Sequence, residues 1–284
     1  MKNILLPTDF SDNSWHAIQY ALQLFAKESC TFYVLNSFEQ TMSPPTSGIS
    51  SKMAQKAIHK AQEENSESDL RDILNRIKQY SEKPHHDFKM ISMYNVFTDA
   101  VEQCLEKYNI DMVVMGTTGS NAVKDMTVGS NTASLVGRVA CPLIAVPKDT
   151  VYKKYTEIGL ATDYEVKFTE QLLKPLTDLL ERAKATLSVF HILVDHESLS
   201  DEQVGLKDEL EQIVSKTPIN FYLLTETKVG SGIQMFIESR ELDMLCIIAK
   251  KHNFIERLFD RTYSKNISKH MHIPLLVLNA NFKK

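Results

Sequence analysis

Three glycines and a serine, spaced Gly116-x2-Gly119-x9-Gly129-Ser130, are the residues whose types and intervals point most directly to chemistry. An apolar run, Met112 to Met115, leads into Gly116, and a segment that reads as helix, Asn131 to Val139, follows Ser130. Strand, glycine loop and helix start together make a phosphate site. Glycine lets the backbone approach the anion, and the first helical N–H groups point at it with the positive end of the helix dipole behind them. Ser130 can cap that helix and offer its hydroxyl to a phosphate oxygen. The bland alternative is that Gly116 and Gly119 only serve a tight turn. Asp9 is the second candidate. It stands past the end of a short apolar strand, Asn3 to Thr8, where open parallel sheets bind ligands. Its carboxylate can accept from hydroxyl or amino donors, or it can merely help cap a helix starting at Ser11.

Nothing comparable suggests bond-making. No Ser/His/Asp or Cys/His set has a positional argument behind it, so no catalytic residue is assigned. The glycine spacing is neither the dinucleotide fingerprint nor the P-loop, since Val128-Gly129 rather than Gly-Lys precedes Ser130. Lys124 and Asp125 could touch phosphate or metal, or form a solvated loop tip. His85-His86-Asp87 is a weak metal candidate: neighbours on an extended segment face opposite ways, and zinc needs three or four convergent ligands. His252, His270 and His272 rank no higher, and no metal site is expected. His191 reads as a satisfied edge histidine, and Met90, Met93, Met112, Met115 and Met126 as core or loop filler.

The elements that must hold these residues alternate. After the first strand, Ser11 can cap a helix whose Trp15, Ile18, Leu22 and Phe25 share one face. Thr31 to Leu35 reads as the second strand, Asn36 to Met53 as a Pro- and Ser-rich loop, and Ala54 to Tyr80 as a long charged helix. Phe88 to Met93 is the third strand, and Thr98 can cap the next helix, on which Val101, Cys104 and Leu105 repeat at helical spacing. Leu143 to Val146 closes the series. Strands alternating with helices predict a parallel sheet covered by helices.

Beyond Pro147 the pattern restarts. Glu157-Ile-Gly-Leu-Ala-Thr-Asp163 repeats Asn3-Ile-Leu-Leu-Pro-Thr-Asp9, and Asp243 to Pro274 has the same length as Asp111 to Pro142. The second copy predicts strands at 187–192, 219–224 and 243–249. Its first helix would bury Phe168, Leu172, Leu176 and Leu179, with Pro175 inside it predicting a kink or a late start, and further helices span 198–215 and 232–242. Gap-free alignment puts Ile248, Lys251, Arg261 and Thr262 where Gly116, Gly119, Gly129 and Ser130 stand. Side chains would fill the space phosphates need, so the second copy is expected to keep the fold and lose the anion. Its basic stretch, with Lys250, Lys251, Arg257, Arg261, Lys265 and Lys269, could hold another anion or be a solvated face.

The glycine spacing, Ile4-Leu-Leu-Pro-Thr-Asp-Phe-Ser11 and Cys141-Pro-Leu-Ile-Ala-Val146 together resemble the universal stress protein family, in tandem form and over nearly the whole chain. The resemblance implies an α/β fold of two tandem copies of a doubly wound, five-stranded parallel sheet, adenine nucleotide alpha hydrolase-like and Rossmann-like. Residues 1–148 would be the copy with the nucleotide motif intact and 154–281 the degenerate one. It implies ATP, or AMP or ADP, with Mg²⁺ as an open companion. Pro7 and Thr8 would line the adenine pocket, Asp9 would contact the adenosine, and the backbone of Ser37 would read the base. Met115, Gly116 and Gly119 would approach ribose and α-phosphate, and Gly129, Ser130 and Asn131 the outer phosphates. Relatives often carry His-Val where this chain has Asn36-Ser37. The implied role is an ATP-binding regulatory protein of the stress response, cytoplasmic, with little or no hydrolysis. A slow ATPase and a ligand-free interaction module are the other readings. In one-domain relatives the last strand pairs across a dimer. Here Leu143 to Val146 and Leu275 to Leu278 would pair within one chain, with a further homodimer and an unidentified protein partner left open.

The totals fit. At 284 residues the chain suits two domains, and its net charge of −4 supplies no basic field for nucleic acid or anionic lipid. Met1-Lys2-Asn3 leads straight into a strand rather than a signal peptide, and no apolar run nears the ~20 residues of a membrane span. The cysteines, Cys30, Cys104, Cys141 and Cys246, are scattered and read as reduced core residues.

Overall fold

Ile4, Leu5 and Leu6 carry no exposed surface at all, because the strand they form has a neighbour on each edge and helices packed against it. This strand, β1 (Lys2–Pro7), pairs in parallel with β2 (Cys30–Phe38) on one side and β4 (Met112–Gly116) on the other. β3 (His86–Tyr94) lies outside β2, so the order is β3-β2-β1-β4. The computed structural model describes residues 1–39, 49–81, 83–117, 130–136, 138–148, 150–193, 198–226, 228–249 and 272–280. They divide into two compact units, Met1–Met115 and Gly116–Lys284.

In the first unit Ser11 caps α1 (Asp12–Leu24) by accepting from the Ser14 N–H. Ile18, Leu22 and Phe25 are each 1% exposed, worth about 1.5–3 kcal/mol apiece in apolar burial. α2 (Ile49–Tyr80) and α3 (Phe97–Tyr108) complete the unit. Three boundaries depart from the sequence expectation. β2 continues through Asn36, Ser37 and Phe38, because each of them has a partner in β3: Ser92, Met93 and Tyr94. α2 is already helical at Ile49. Val96, not Thr98, is the N-cap of α3. Thr98 lies inside the helix, buried, with its hydroxyl directed to Asp99.

The second unit holds α4 (Ser130–Leu135), β5 (Leu143–Val146), β6 (Glu157–Ala161), α5 (Glu170–Ala183) and β7 (Thr186–Leu193). α6 (Asp201–Ile213), β8 (Ile219–Thr225), α7 (Val229–Arg240), β9 (Met244–Ala249) and β10 (Leu275–Asn279) follow. α5 begins at Glu170, capped by Thr169, and runs through Pro175 rather than starting at it; Leu172, Leu176 and Leu179 on it are buried, as is Phe168, which lies just before the cap. Its strands lie in the order β5-β10-β9-β6-β7-β8. Every pair among the last five is parallel. β5 and β10 run antiparallel, with Leu276 opposite Ile144, and both strands are wholly buried. That joint draws β5 into the second unit and covers two apolar edges that would otherwise invite pairing.

The duplication is written in the hydrogen bonds. Asp111 N–H donates to Asn3 O at 2.8 Å while Asn3 N–H donates to the Asp111 carboxylate at 2.7 Å. In the second unit Asp243 N–H donates to Glu157 O at 3.0 Å and Glu157 N–H to the Asp243 carboxylate at 3.1 Å. The helices before these aspartates end on left-handed Asn109 (φ 47°) and Glu241 (φ 51°).

Candidate functional site

β1 is the strand at which the order of the first sheet reverses: the chain passes to β2 on one side and returns as β4 on the other. Ligands in open α/β sheets bind beyond the carboxyl end of such a strand. Pro7 and Thr8 are buried there and Asp9 is half-buried. The turn is tightly determined. Asp9 Oδ1 accepts from the Ser11 N–H at 3.1 Å and the Ser11 hydroxyl at 2.6 Å. Ser14 spends its hydroxyl proton on Ser11 O at 2.9 Å, so in the Thr8–Ser14 pair (2.9 Å) the Thr8 hydroxyl is the donor. Thr8 Oγ1 in turn accepts the Phe10 N–H at 3.0 Å. These bonds hold Phe10 at φ 64°, a left-handed conformation that a non-glycine residue adopts only when its surroundings impose it. The two readings of Asp9 are therefore compatible: one oxygen organises the start of α1, and the carboxylate still stands at the switch point.

Sequence reasoning missed the side chain that grips this turn. Asn36 Nδ2 donates to Thr8 O at 2.8 Å, and Ser66 of α2 donates to Asn36 Oδ1 at 2.9 Å. Ser92 of β3 donates to Ser66 Oγ at 2.8 Å. Asn36 and Ser66 are buried. Ser37, the expected base reader, is half-buried within β2 opposite Met93. Met115 is buried near the end of β4.

Gly116 ends β4, and its carbonyl accepts from the buried Thr132 hydroxyl at 3.0 Å. Thr132, another residue the sequence did not single out, thus ties the first turn of α4 back to the strand. α4 already includes Ser130, which is its first helical residue rather than the expected N-cap, and Asn131 is exposed beside it. α4 ends at Leu135, short of the expected Val139. Gly119 and Gly129, with Lys124 and Asp125, lie outside the described residues, as does 250–271, which carries Lys251, Arg261, Thr262, His252 and His270.

The second copy repeats the turn with different occupants. Tyr164 takes Phe10's place at φ 50°, its N–H on Thr162 Oγ1 at 3.0 Å, and it is fully buried, which raises its hydroxyl pKa. His191 Nδ1 reaches Thr162 O at 2.8 Å, where Asn36 reaches Thr8 O. Gln203, in the capping box of α6, donates to Asp163 O at 2.9 Å. Ile248, at the position of Gly116, is buried.

The paired histidines at the start of β3, His85 just before it and His86 its first residue, correct one expectation. His85 and His86 do not point apart: their rings meet 4.7 Å apart, reaching Ala26 O and Phe25 O at the end of α1. Burial is the largest influence on His86 and lowers its pKa. Met90, read as filler, is 43% exposed on the outer strand. Among the described residues no His, Cys, Asp and Glu group is arranged to hold a metal ion, and no helix is long and apolar enough to cross a membrane.

Strand order, switch point and covering helices define a doubly wound, Rossmann-like α/β protein, present in two copies. The sequence signature of the universal stress protein family matches residues 1–147, so the chain belongs to that family. A universal stress protein of Methanocaldococcus jannaschii is 23% identical over 147 residues, 52% of this chain and 82% of the relative. A universal stress protein from Archaeoglobus fulgidus DSM 4304 superimposes with a TM-score of 0.69 at 15% identity, covering 98% of both chains. A functionally unknown protein from Pseudomonas aeruginosa PAO1 gives 0.57 at 9% identity, over 98% of this chain and 92% of that one. These two likenesses speak for the fold over the full length.

Proposed function

We propose that the first copy, residues 1–148, binds an adenine nucleotide, ATP or its AMP and ADP relatives, and holds it as a regulatory ligand with little or no hydrolysis. The observation that carries this reading is the position of Asp9, in a fixed turn at the switch point of β1. A carboxylate accepts only, which suits the donor hydroxyls of ribose and the adenine amino group. Pro7, Thr8 and the Ser37 backbone serve the base, Met115, Gly116 and Gly119 the ribose and first phosphate, and Gly129, Ser130 and Asn131 the outer phosphates. Mg²⁺ would enter with the phosphates. The second copy, 154–281, acts as a packing partner. Buried Ile248 in place of Gly116, and Gln203 against Asp163, support that role. Occupancy would reshape the surface of the 117–128 segment and so inform a protein partner in a cytoplasmic stress response.

Thermal unfolding with ATP tests the proposal. Ligand at a hundred times Kd adds about 2.7 kcal/mol to a native state that alone binds it. Wild type should gain that stabilisation, and the double variant Gly119→Ala with Gly129→Ala should lose most of it. No shift at millimolar ATP, or an equal shift in the variant, removes the reading. Single-turnover phosphate release separates holding from slow hydrolysis, and a titration repeated with EDTA reads the Mg²⁺ contribution.

A further inference from the structure

We infer that Asn36 and Ser66 are positioning residues for the nucleotide site, setting the turn after β1 from the neighbouring strand β2 and from α2; this rests on the nucleotide reading above. The hydrogen bonds run one way. Ser92 donates to Ser66, Ser66 to Asn36 Oδ1, and Asn36 Nδ2 to the Thr8 carbonyl, at 2.8, 2.9 and 2.8 Å. A carbonyl only accepts, so the Asn36 amide must present nitrogen to Thr8 and oxygen to Ser66. Every proton in the chain is thereby assigned. Thr8, Asn36 and Ser66 are 6%, 8% and 4% exposed, so solvent is a poor substitute for any link.

Thr8 is where this chain of bonds meets the turn. Its hydroxyl receives the Phe10 N–H and its carbonyl receives Asn36, and between them Asp9 and left-handed Phe10 are fixed. A strained turn keeps its shape only while its neighbours over-determine it. Loosening the Thr8 carbonyl lets Phe10 relax and moves the Asp9 carboxylate.

The second copy supplies the contrast. His191 makes the bond to Thr162 O alone, from its ring. The strand residue opposite it in β8, where β3 has Ser92, is Leu223, 54% exposed and without a hydroxyl. The serine chain is present in the copy that keeps the glycine motif, and the degenerate copy has Leu223 where it would begin. It also makes the site depend on the seating of α2, since Ser66 belongs to that helix.

The test is the Kd for ATP in Asn36→Leu, Asn36→His and Ser66→Ala, measured at a temperature where circular dichroism shows each fully folded. Loss of one buried bond to the Thr8 carbonyl predicts roughly tenfold weaker binding in Asn36→Leu and about threefold in Ser66→Ala. Asn36→His, which can copy the His191 bond, should recover most of the loss, a rescue that a merely structural role would not produce. Unchanged Kd in the folded variants overturns the inference, and Ser66→Ala alone decides it if Asn36→Leu does not fold. Amide hydrogen exchange at Phe10 and Ser11, compared with Val34 in β2, gives a readout without nucleotide. If wild type fails to bind ATP, the nucleotide reading falls. The positioning role then stands on faster exchange confined to the turn, and falls if exchange is unchanged or rises uniformly.

Discussion

Replacing Asp243 by Ala should destabilise the second unit by about 3 kcal/mol. This carboxylate is 4% exposed, yet it is charged. Its Oδ2 accepts from the Thr156 N–H at 2.5 Å, the Thr156 hydroxyl at 2.8 Å and the Glu157 N–H at 3.1 Å, while Lys153 Nζ sits 2.6 Å from Oδ1. A hydrogen bond to a charged acceptor is worth roughly 1.5–3 kcal/mol. Three donors share one oxygen and burial of the charge opposes them, so the sum stays near the value of one or two such bonds. The Lys153 side chain is 66% exposed, and its ion pair adds little. At 2–4 °C per kcal/mol, the unfolding midpoint should fall by about 6–12 °C. The sign of the pH dependence follows from the same contacts. Burial pushes the Asp243 carboxyl up, but Lys153 and the Thr156 and Glu157 donors together outweigh it and hold the pKa below the ordinary value. The stabilisation is therefore complete above about pH 4 and fades as pH falls through the lowered native pKa. Urea unfolding followed by circular dichroism, for wild type, Asp243→Ala and Asp243→Asn, measures both effects. A loss under about 0.5 kcal/mol in Asp243→Ala, or a wild-type advantage over Asp243→Asn that stays constant down to pH 2, would refute the reasoning.

His86 is kept neutral by burial, so the first unit should lose stability as pH falls below about 6.5, by up to about 1.4 kcal/mol per pH unit. In urea midpoints at pH 7.5 and 5.5, His86→Gln should flatten that slope. Gly159→Ala would press a Cβ into Leu242 Cδ1 and place it 3.3 Å from Phe190 Cε1, so a cost of about 1–3 kcal/mol is expected from thermal melts. Ile144→Asp sets a carboxylate opposite Leu276 in the buried joint, and limited proteolysis should then cut near β5 far faster than in wild type. Burial pushes the thiol of Cys104 up to about 11 and raises that of Cys246, so thiol labelling of native protein should lag behind that of unfolded protein by orders of magnitude.

Much of the architecture was readable because it depends on local pattern. The apolar run of β1 and the serine at the start of α1 each needed only neighbours in sequence, and the second copy showed itself when the stretch from Asn3 recurred at Glu157. Asn36 and Ser66 were not readable. An asparagine beside a Pro- and Ser-rich stretch looks like the start of a loop, and a serine in a charged helix looks solvated. Each is buried against partners distant in sequence, the two meeting across thirty positions of chain. The same holds for Thr132, whose partner Gly116 carries no side chain to advertise the contact. The histidine pair misled for a different reason: strand alternation applies inside β3, and His85 stands just before it.

The antiparallel seam between β5 and β10 has an evolutionary side. In an assembly of two separate molecules, such a seam comes apart on dilution, and every substitution beside it is made twice. Within a single polypeptide its strands meet at a fixed effective concentration, and each change is made once. A change in one copy, such as isoleucine at 248 where the other has Gly116, therefore leaves the sequence of its sibling as it was.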